Sequence, residues 1–394
     1  MALLFLFIAP FLLSATLVYL WQNTLRKRQI FDHPNHRSSH IHPTPRSGGV
    51  GIFLAFWVGM FALVCIPEAF DFNTNLGSIS IRQIRTDFFS LVWLFVASFL
   101  LFVVGLVDDF SPTQRRTRLV VQVSATGIFL GTIYTQLRDI LLLQISKILN
   151  IFSLDTPFKH NILQGSLSNS GIEALQIVLL GILLLILLLG IVWVINLTNF
   201  MDGLNGIATL EIVFILVSLA YFSFHSGEVQ ETPETSLLLP SILILVSSCL
   251  GFFIWNFPLA KVFLGDSGSN FLGFMVAVFG MWAILLGHIS IWSCMILSLL
   301  FWMDATLTLF RRWKLGEKIT EAHRSHLYQI LNRRWNSHVK VVNLYLAIDL
   351  FVIFPLAFLS EEFPEIGIYL LLLASISYSF IYFNNQKSVI NHGT

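Results

Sequence analysis

Long apolar stretches recur from one end of this chain to the other, and each is long enough to cross a lipid bilayer. A spanning helix needs roughly 20 mostly apolar residues, and the sequence offers eleven such stretches: 2–21, 48–67, 89–107, 119–137, 172–195, 206–224, 236–255, 270–287, 289–309, 341–360 and 366–383. Only 11% of the 394 residues are charged, whereas soluble domains carry about 25%. We therefore predict an all-α, polytopic integral membrane protein with about eleven transmembrane helices (ten to twelve), in which 1–394 form a single multi-span domain.

Lysine and arginine are unevenly distributed between the connections of these stretches. With an external amino terminus, 18 of the 23 basic residues fall on the odd-numbered connections and the carboxyl-terminal tail. Such residues accumulate on cytoplasmic loops. The bias predicts cytoplasmic loops at about 22–47, 108–118, 196–205, 256–269 and 310–340.

Five polar clusters lie beside predicted spans, at 36–49, 105–109, 196–206, 265–270 and 323–326. An ionisable group at bilayer depth costs on the order of 2.5–3.5 kcal/mol, so each cluster is a candidate functional site. The predicted topology places all five on the cytoplasmic side. Glu211 and Asp349 fall inside predicted helices, and we assign them only a polar contact within the bundle.

Three of the clusters carry carboxylates next to glycine or asparagine. The adjacent pair Asp108 and Asp109 predicts a divalent metal or a proton-transfer role, with a solvated helix end as the alternative. The run from Asn199 through Asp202 to Asn205 is typical of a cation- or phosphate-binding loop, and also of a helix cap. Asp266 opens a helix whose amides form an anion site, or it simply caps that helix.

The other two clusters are basic. His323 and His326 are three residues apart, which on a helix places them on one face beside Arg324; a plain surface loop is the alternative. In the first loop, Thr44 and Arg46 precede two glycines and can hold a phosphate. The combination at one membrane face indicates Mg²⁺-assisted phosphoryl chemistry on a membrane lipid.

Five motifs in this order resemble the polyprenyl-phosphate N-acetylhexosamine-1-phosphate transferases, which include bacterial O-antigen initiating enzymes and the phospho-N-acetylmuramoyl-pentapeptide transferase. The motifs are Pro43-Thr44-Pro45-Arg46-Ser47-Gly48-Gly49, Asp108-Asp109, Asn199-Phe200-Met201-Asp202-Gly203, Gly265-Asp266-Ser267-Gly268-Ser269 and His323-Arg324-Ser325-His326. The resemblance implies attack of undecaprenyl phosphate on the β-phosphorus of a UDP-N-acetylhexosamine, with release of UMP. We favour direct attack, with prior covalent attack by an Asp as the alternative. It also implies a multi-pass protein of the bacterial inner membrane, with a periplasmic amino terminus and a cytoplasmic active site.

The resemblance further implies roles for individual residues. Mg²⁺, with Mn²⁺ as the alternative, would be bound by Asp266, Asp202 and Asp109. Catalytic roles fall to Asp108, Asp109, Asp266, His323 and His326. Substrate would be bound by Thr44, Arg46, Arg118, Gln122, Asn199, Asp202, Asn205 and Arg324.

Two departures from the family pattern concern the anionic ligands of the site and the expected substrate. Asn205 stands where many relatives have a second Asp, so it cannot be an anionic ligand. The His-Arg-Ser-His run is closer to O-antigen initiating enzymes, which implies UDP-GlcNAc, UDP-FucNAc or UDP-QuiNAc as donor; a muramoyl-pentapeptide or teichoic-acid-type donor is the alternative. A lipid-linked sugar transporter is the alternative of another class, a homodimer is left open, and no nucleic acid partner is expected.

Overall fold

The computed structural model describes residues 2–34, 42–65, 81–135, 137–139, 141–142, 169–225, 233–318 and 323–391. The long elements in these ranges are helices: α1 Ala2–Lys27, α2 Gly49–Cys65, α3 Ile81–Phe110, α4 Arg115–Thr132, α5 Asn169–Met201, α6 Ile207–His225, α7 Pro233–Asn256, α8 Gly265–Leu285, α9 Ile291–Leu297, α10 Leu299–Lys314, α11 Leu327–Trp335, α12 His338–Ile348, α13 Phe354–Glu362 and α14 Gly367–Asn391. A π-helix, Asp349–Ile353, joins α12 to α13, and a short 3₁₀ helix, Pro364–Ile366, precedes α14. The predicted all-α class is confirmed.

Each of the eleven predicted stretches coincides with one of these helices or with a helix pair. Within the described ranges, eight helices are long and apolar enough to span a membrane, and the pair α9 and α10 would make a ninth span. Helix α2 is apolar but shorter, and α4 begins with three arginines. A polytopic membrane protein is thus confirmed, while the number of spans and their orientation stay predictions.

The stretch predicted at 289–309 differs from a simple span, because α9 and α10 meet at an angle of 72°. Ser298 separates them, and its hydroxyl donates to the carbonyl of Cys294 at 3.1 Å. A serine hydroxyl that bonds the preceding turn competes with the helical backbone and bends helices. Beyond the bend, Asp304 of α10 lies beside His326, with 3.7 Å between Asp304 Oδ1 and His326 Nδ1.

Helix α8 forms the centre of the bundle, packed against α2, α3, α5 and α6. Its phenylalanines are fully buried, and Phe271 meets Phe53 of α2 edge to face at 5.2 Å between ring centroids. Phe53 in turn stacks on Phe102 of α3 at 4.2 Å. Aromatic pairs add roughly 0.5–1.5 kcal/mol each beyond the area they bury. The position of α8, and of the polar residues at its start, is therefore set by tight packing.

Two glycines bring backbones together where α8 begins. Gly265 has φ +77°, and a Cβ there would lie 2.5 Å from a carboxylate oxygen of Asp109. A Cβ on Gly105 would overlap the carbonyl of Asp266. Because only glycine lacks that atom and populates positive φ readily, these two positions let α3 and the start of α8 touch.

Candidate active site

Asp109 holds the start of α8 against the end of α3. Its Oδ1 accepts the backbone N–H of Asp266 at 2.8 Å, and its Oδ2 accepts the N–H of Ser267 at 3.2 Å and the hydroxyl of Ser267 at 2.8 Å. The side chain has no solvent exposure. A carboxylate at a helix amino terminus satisfies free N–H groups and meets the positive end of the helix dipole. With both oxygens occupied in this way, Asp109 positions α8, and its role as a metal ligand stays a prediction.

Asp108 and Asp266 face each other across one guanidinium. Arg118 Nη1 lies 2.9 Å from Asp108 Oδ2 and 3.3 Å from Asp266 Oδ2. Asp108 also accepts the N–H and the hydroxyl of Thr113, both at 2.6 Å, and Asp266 accepts Asn199 Nδ2 at 2.9 Å. Three segments distant in the sequence, at 108–118, Asn199 and Asp266, thus converge on one acidic pair.

Asp202 lies in the short turn between α5 and α6. Partial burial raises the pKa of its carboxyl to about 7; Asp109 adds to the rise, while Arg46 and the N–H of Gly265 act against it. Burial also lowers the pKa of Arg46, but the carboxylates around it more than reverse this and leave that pKa raised. Arg46 Nε is 3.8 Å from Asp109 Oδ1 and 4.0 Å from Asp32 Oδ2.

The His323 and His326 segment comes together as predicted but is not helical. His326 is the N-cap of α11, so the pair precedes the helix, and the two rings stack at 5.0 Å. Burial, with smaller contributions from His326 and Arg312, lowers the pKa of His323 to about 4. His323 Nδ1 lies 2.9 Å from the hydroxyl of Ser325. His323 is therefore neutral near pH 7.

Two cavities meet at Asp202 and Gly203, which line both. The smaller, of about 210 Å³, is walled by polar and cationic groups that include Arg46, Asn205, Asn256, Arg324, Asn332 and Arg333. The larger, of about 1050 Å³, has a polar wall of Arg115, Arg118, Gln122, Asn196, Asn199, His323 and His326, and an apolar wall of Leu119, Leu189, Val192, Trp193 and Leu309.

Three of the predicted substrate-binding residues form hydrogen bonds to neighbouring protein groups. Thr44 pairs with the backbone of Asp32 and donates its hydroxyl to the carbonyl of His42 at 3.0 Å, and it lines neither cavity. Gln122 lines the larger cavity and accepts Asn196 Nδ2 at 3.0 Å. Asn205 lines only the smaller cavity and donates Nδ2 to the carbonyl of Pro258 at 3.1 Å. The predicted residues 36–40 of the first loop lie outside the described residues.

Sequence reasoning missed Asp304 and Tyr328. Asp304 is fully buried on α10 beside His326, and Tyr328 donates its hydroxyl to the carbonyl of Phe200 at 2.7 Å. A lone carboxylate inside the apolar stretch 289–309 was the available signal for Asp304. Tyr328 carried no such signal, because an aromatic residue on the apolar face of an amphipathic helix is ordinary core.

The charge balance of the site fits a divalent cation. Four carboxylates, Asp108, Asp109, Asp202 and Asp266, share two guanidiniums, Arg46 and Arg118. Among the described residues, no three His, Cys, Asp or Glu side chains are already arranged around a metal position. The surplus of negative charge nevertheless suits Mg²⁺, which takes one or two protein carboxylates and completes its shell with water and phosphate oxygens.

In a comparison with known protein families, residues 91–284 match the model of "Glycosyl transferase family 4". A probable undecaprenyl-phosphate N-acetylglucosaminyl 1-phosphate transferase of Bacillus subtilis is 25% identical over 319 residues, covering 80% of this chain and 73% of that protein. A decaprenyl-phosphate N-acetylglucosaminephosphotransferase of Mycobacterium tuberculosis is 24% identical over 343 residues, 79% of this chain and 70% of that protein. A phospho-N-acetylmuramoyl-pentapeptide-transferase of Streptococcus thermophilus is 38% identical over 80 residues, 20% of this chain and 22% of that protein.

Proposed function

Because the chain belongs to the polyprenyl-phosphate N-acetylhexosamine-1-phosphate transferases of glycosyl transferase family 4, we propose that it transfers N-acetylhexosamine-1-phosphate from a UDP-linked donor to undecaprenyl phosphate. An oxygen of the lipid phosphate forms a bond to the β-phosphorus of the donor. The bond from that phosphorus to the oxygen shared with the α-phosphorus breaks, and UMP leaves with the electron pair.

The observation that carries this proposal is the meeting of two chemically different cavities at Asp202 and Gly203. A transfer between a lipid phosphate and a nucleotide sugar needs an amphipathic site and a polar site that share one reaction point. A single polar cavity would serve a soluble substrate, and a single apolar one would serve a lipid alone.

The larger cavity suits the lipid phosphate. Leu119, Leu189 and Trp193 on its apolar wall are at least one third exposed on the outer surface of α4 and α5, where lipid would surround an integral membrane protein. Arg115 and Arg118 stand on the polar wall. A guanidinium forms strong, directed hydrogen bonds to phosphate oxygens, so a prenyl chain can lie along the apolar wall with its phosphate at these arginines.

The smaller cavity suits the nucleotide part of the donor. Arg46, Arg324 and Arg333 contribute positive charge, which a diphosphate requires, and Asn256 and Asn332 offer amide groups that can pair with a base or a sugar. The donor's β-phosphorus would then lie near Asp202, where the cavities join.

Charge neutralisation and alignment would account for most of the catalysis. The lipid phosphate is already ionised at pH 7, so it needs no general base, and direct attack requires only that nucleophile and phosphorus be held in line. Asp266 and Asp202 would hold a Mg²⁺ ion, with Asp108 in reach. When bound, that ion would neutralise the phosphate oxygens and the leaving UMP.

We place this reaction at the start of lipid-linked O-antigen synthesis, with UDP-GlcNAc, UDP-FucNAc or UDP-QuiNAc as donor. The His-Arg-Ser-His run at 323–326 supports this choice over a muramoyl-pentapeptide or teichoic-acid-type donor. The proposal includes residence in the bacterial inner membrane, with the two cavities on the cytoplasmic face, as the distribution of basic residues predicts.

The test is release of UMP by purified protein incubated with undecaprenyl phosphate, Mg²⁺ and a panel of UDP sugars. We expect UMP from one N-acetylhexosamine donor, none after chelation of the metal, and at least a hundredfold loss in Asp266→Asn. Asp139→Asn is the matched control, since this carboxylate is 66% exposed and pairs with its neighbour Arg138. Absence of UMP with every donor would refute the proposal and favour the sugar-transporter alternative; full activity of Asp266→Asn would refute the mechanism.

A further inference from the structure

Asp304 is a buried carboxylate that the proposed chemistry leaves unexplained. It lies on α10 with no exposure. Its Oδ1 accepts the N–H of Leu327 at 2.8 Å and the hydroxyl of Thr308 at 3.4 Å, while Oδ2 has no hydrogen-bond partner. A buried polar group is costly unless it is paired, so this carboxylate calls for a polar neighbour.

The neighbour is His326. Its Nδ1 lies 3.7 Å from Asp304 Oδ1, with 3% of the imidazole exposed, and Nδ1 has no hydrogen-bond partner. His326 also lines the larger cavity. Because its Nδ1 edge faces the buried carboxylate, the Nε2 edge is the one left to reach the cavity.

Aromatic neighbours fix the plane of this imidazole. Phe200 stacks on it at 6.1 Å, His323 at 5.0 Å and Tyr328 at 5.6 Å between ring centroids. The backbone of the histidine is fixed as well, since the Leu327 N–H that follows it is bonded to Asp304. The ring is therefore held in one orientation between Asp304 and the cavity.

We propose that Asp304 is a positioning residue for the transferase reaction: by facing Nδ1 it fixes the orientation of His326 and so presents the Nε2 edge of the ring to substrate in the larger cavity. A carboxylate beside a histidine ring orients the imidazole. The other titratable groups around this imidazole are His323 and Tyr328, with Arg312 and Asp202 beyond them. Among these groups, Asp304 is the carboxylate that faces the Nδ1 edge of the ring. The inference rests on the function proposed above.

The test is a double-mutant cycle on UMP release, with Asp304→Asn, His326→Gln and the double variant. Asparagine has the shape of aspartate and keeps an acceptor for the Leu327 N–H. We expect Asp304→Asn to lower kcat by about 10- to 100-fold, as loss of a supporting carboxylate commonly does, with the KM of the donor changed far less. In the His326→Gln background the same change should cost nothing further. Asp349→Asn is the control, because this carboxylate is equally buried and lies among the membrane helices.

A second readout separates positioning from a purely structural role. A purely structural role would lower the midpoint of thermal unfolding or raise KM, whereas loss of positioning should lower kcat alone in Asp304→Asn. Equal losses from Asp304→Asn with and without His326, or a loss that falls on KM, would overturn the inference while wild-type UMP release upholds the proposed function. No UMP from the wild type would refute both.

Discussion

Replacing Asp109 by asparagine tests whether this residue holds α8 in place. The amide keeps one oxygen for the N–H of Asp266 but turns an NH₂ group toward the N–H of Ser267, because the two carboxylate oxygens serve different donors. A buried N–H left unpaired costs roughly 1–3 kcal/mol, and loss of the charge at the helix terminus costs roughly 0.3–1 kcal/mol more. Asparagine also avoids the burial of a charge, which offsets part of this sum. We expect a net loss of about 2 kcal/mol in the free energy of unfolding.

Ser267→Ala provides a reference loss of stability with which the loss in Asp109→Asn can be compared. It removes one hydrogen bond to Asp109 and leaves both backbone bonds intact, so we expect a loss of about 1 kcal/mol. Denaturant unfolding in detergent micelles, followed by tryptophan fluorescence, gives both values under the same conditions. An Asp109→Asn protein as stable as the wild type would refute the capping role. If it were also inactive, Asp109 would belong with the groups that contact metal or substrate.

Two further predictions concern close packing and pH. Gly105→Ala should lower the free energy of unfolding by about 1–3 kcal/mol, because the new methyl overlaps the backbone of Asp266. Gly127→Ala, with open space around its Cβ inside α4, should instead raise it by about 0.5–1 kcal/mol in the same assay, because alanine favours the helix. The pKa of His323 is about 4 in the folded protein, whereas its ordinary value is 6.5. Between pH 4 and pH 6.5, therefore, the unfolded chain binds a proton at His323 more readily than the folded protein does. Stability should therefore fall as pH drops from about 6.5 to 4, and thermal melts of His323→Gln should show a smaller fall; an identical decline in both proteins would contradict this.

The spans could be predicted because hydropathy is a local property of the sequence. Each stretch of apolar residues is long enough to define a helix without any tertiary contact. The bend at Ser298 escaped prediction for the same reason: it depends on one hydroxyl bonding the preceding turn, and a serine in an apolar run has the same hydropathy whether or not it does so. Regular elements were thus predictable, and their interruptions were not.

The residues that form the site were more predictable than the hydrogen bonds between them. The scarcity of charge identified Asp108, Asp109, Asp202 and Asp266 because each stands at the end of a span. Which of these carboxylates bonds to a neighbouring helix depends on a contact between residues 157 positions apart in the sequence. In this contact the backbone N–H of Asp266 donates to Asp109. No local pattern encodes that pairing, so the sequence could not separate a carboxylate that caps a helix from one that faces the cavity.

The contact of α3 with α8 through Gly105 and Gly265 limits how a site of this design can diversify. Here main chain lies against main chain, and no larger side chain can enter without moving the acidic residues themselves. Substitutions that alter the proposed donor preference are therefore expected at side chains that line the smaller cavity, such as Arg324, Asn332 and Arg333. The contact between the two backbones is fixed by geometry, and variation in the site is left to side chains such as these.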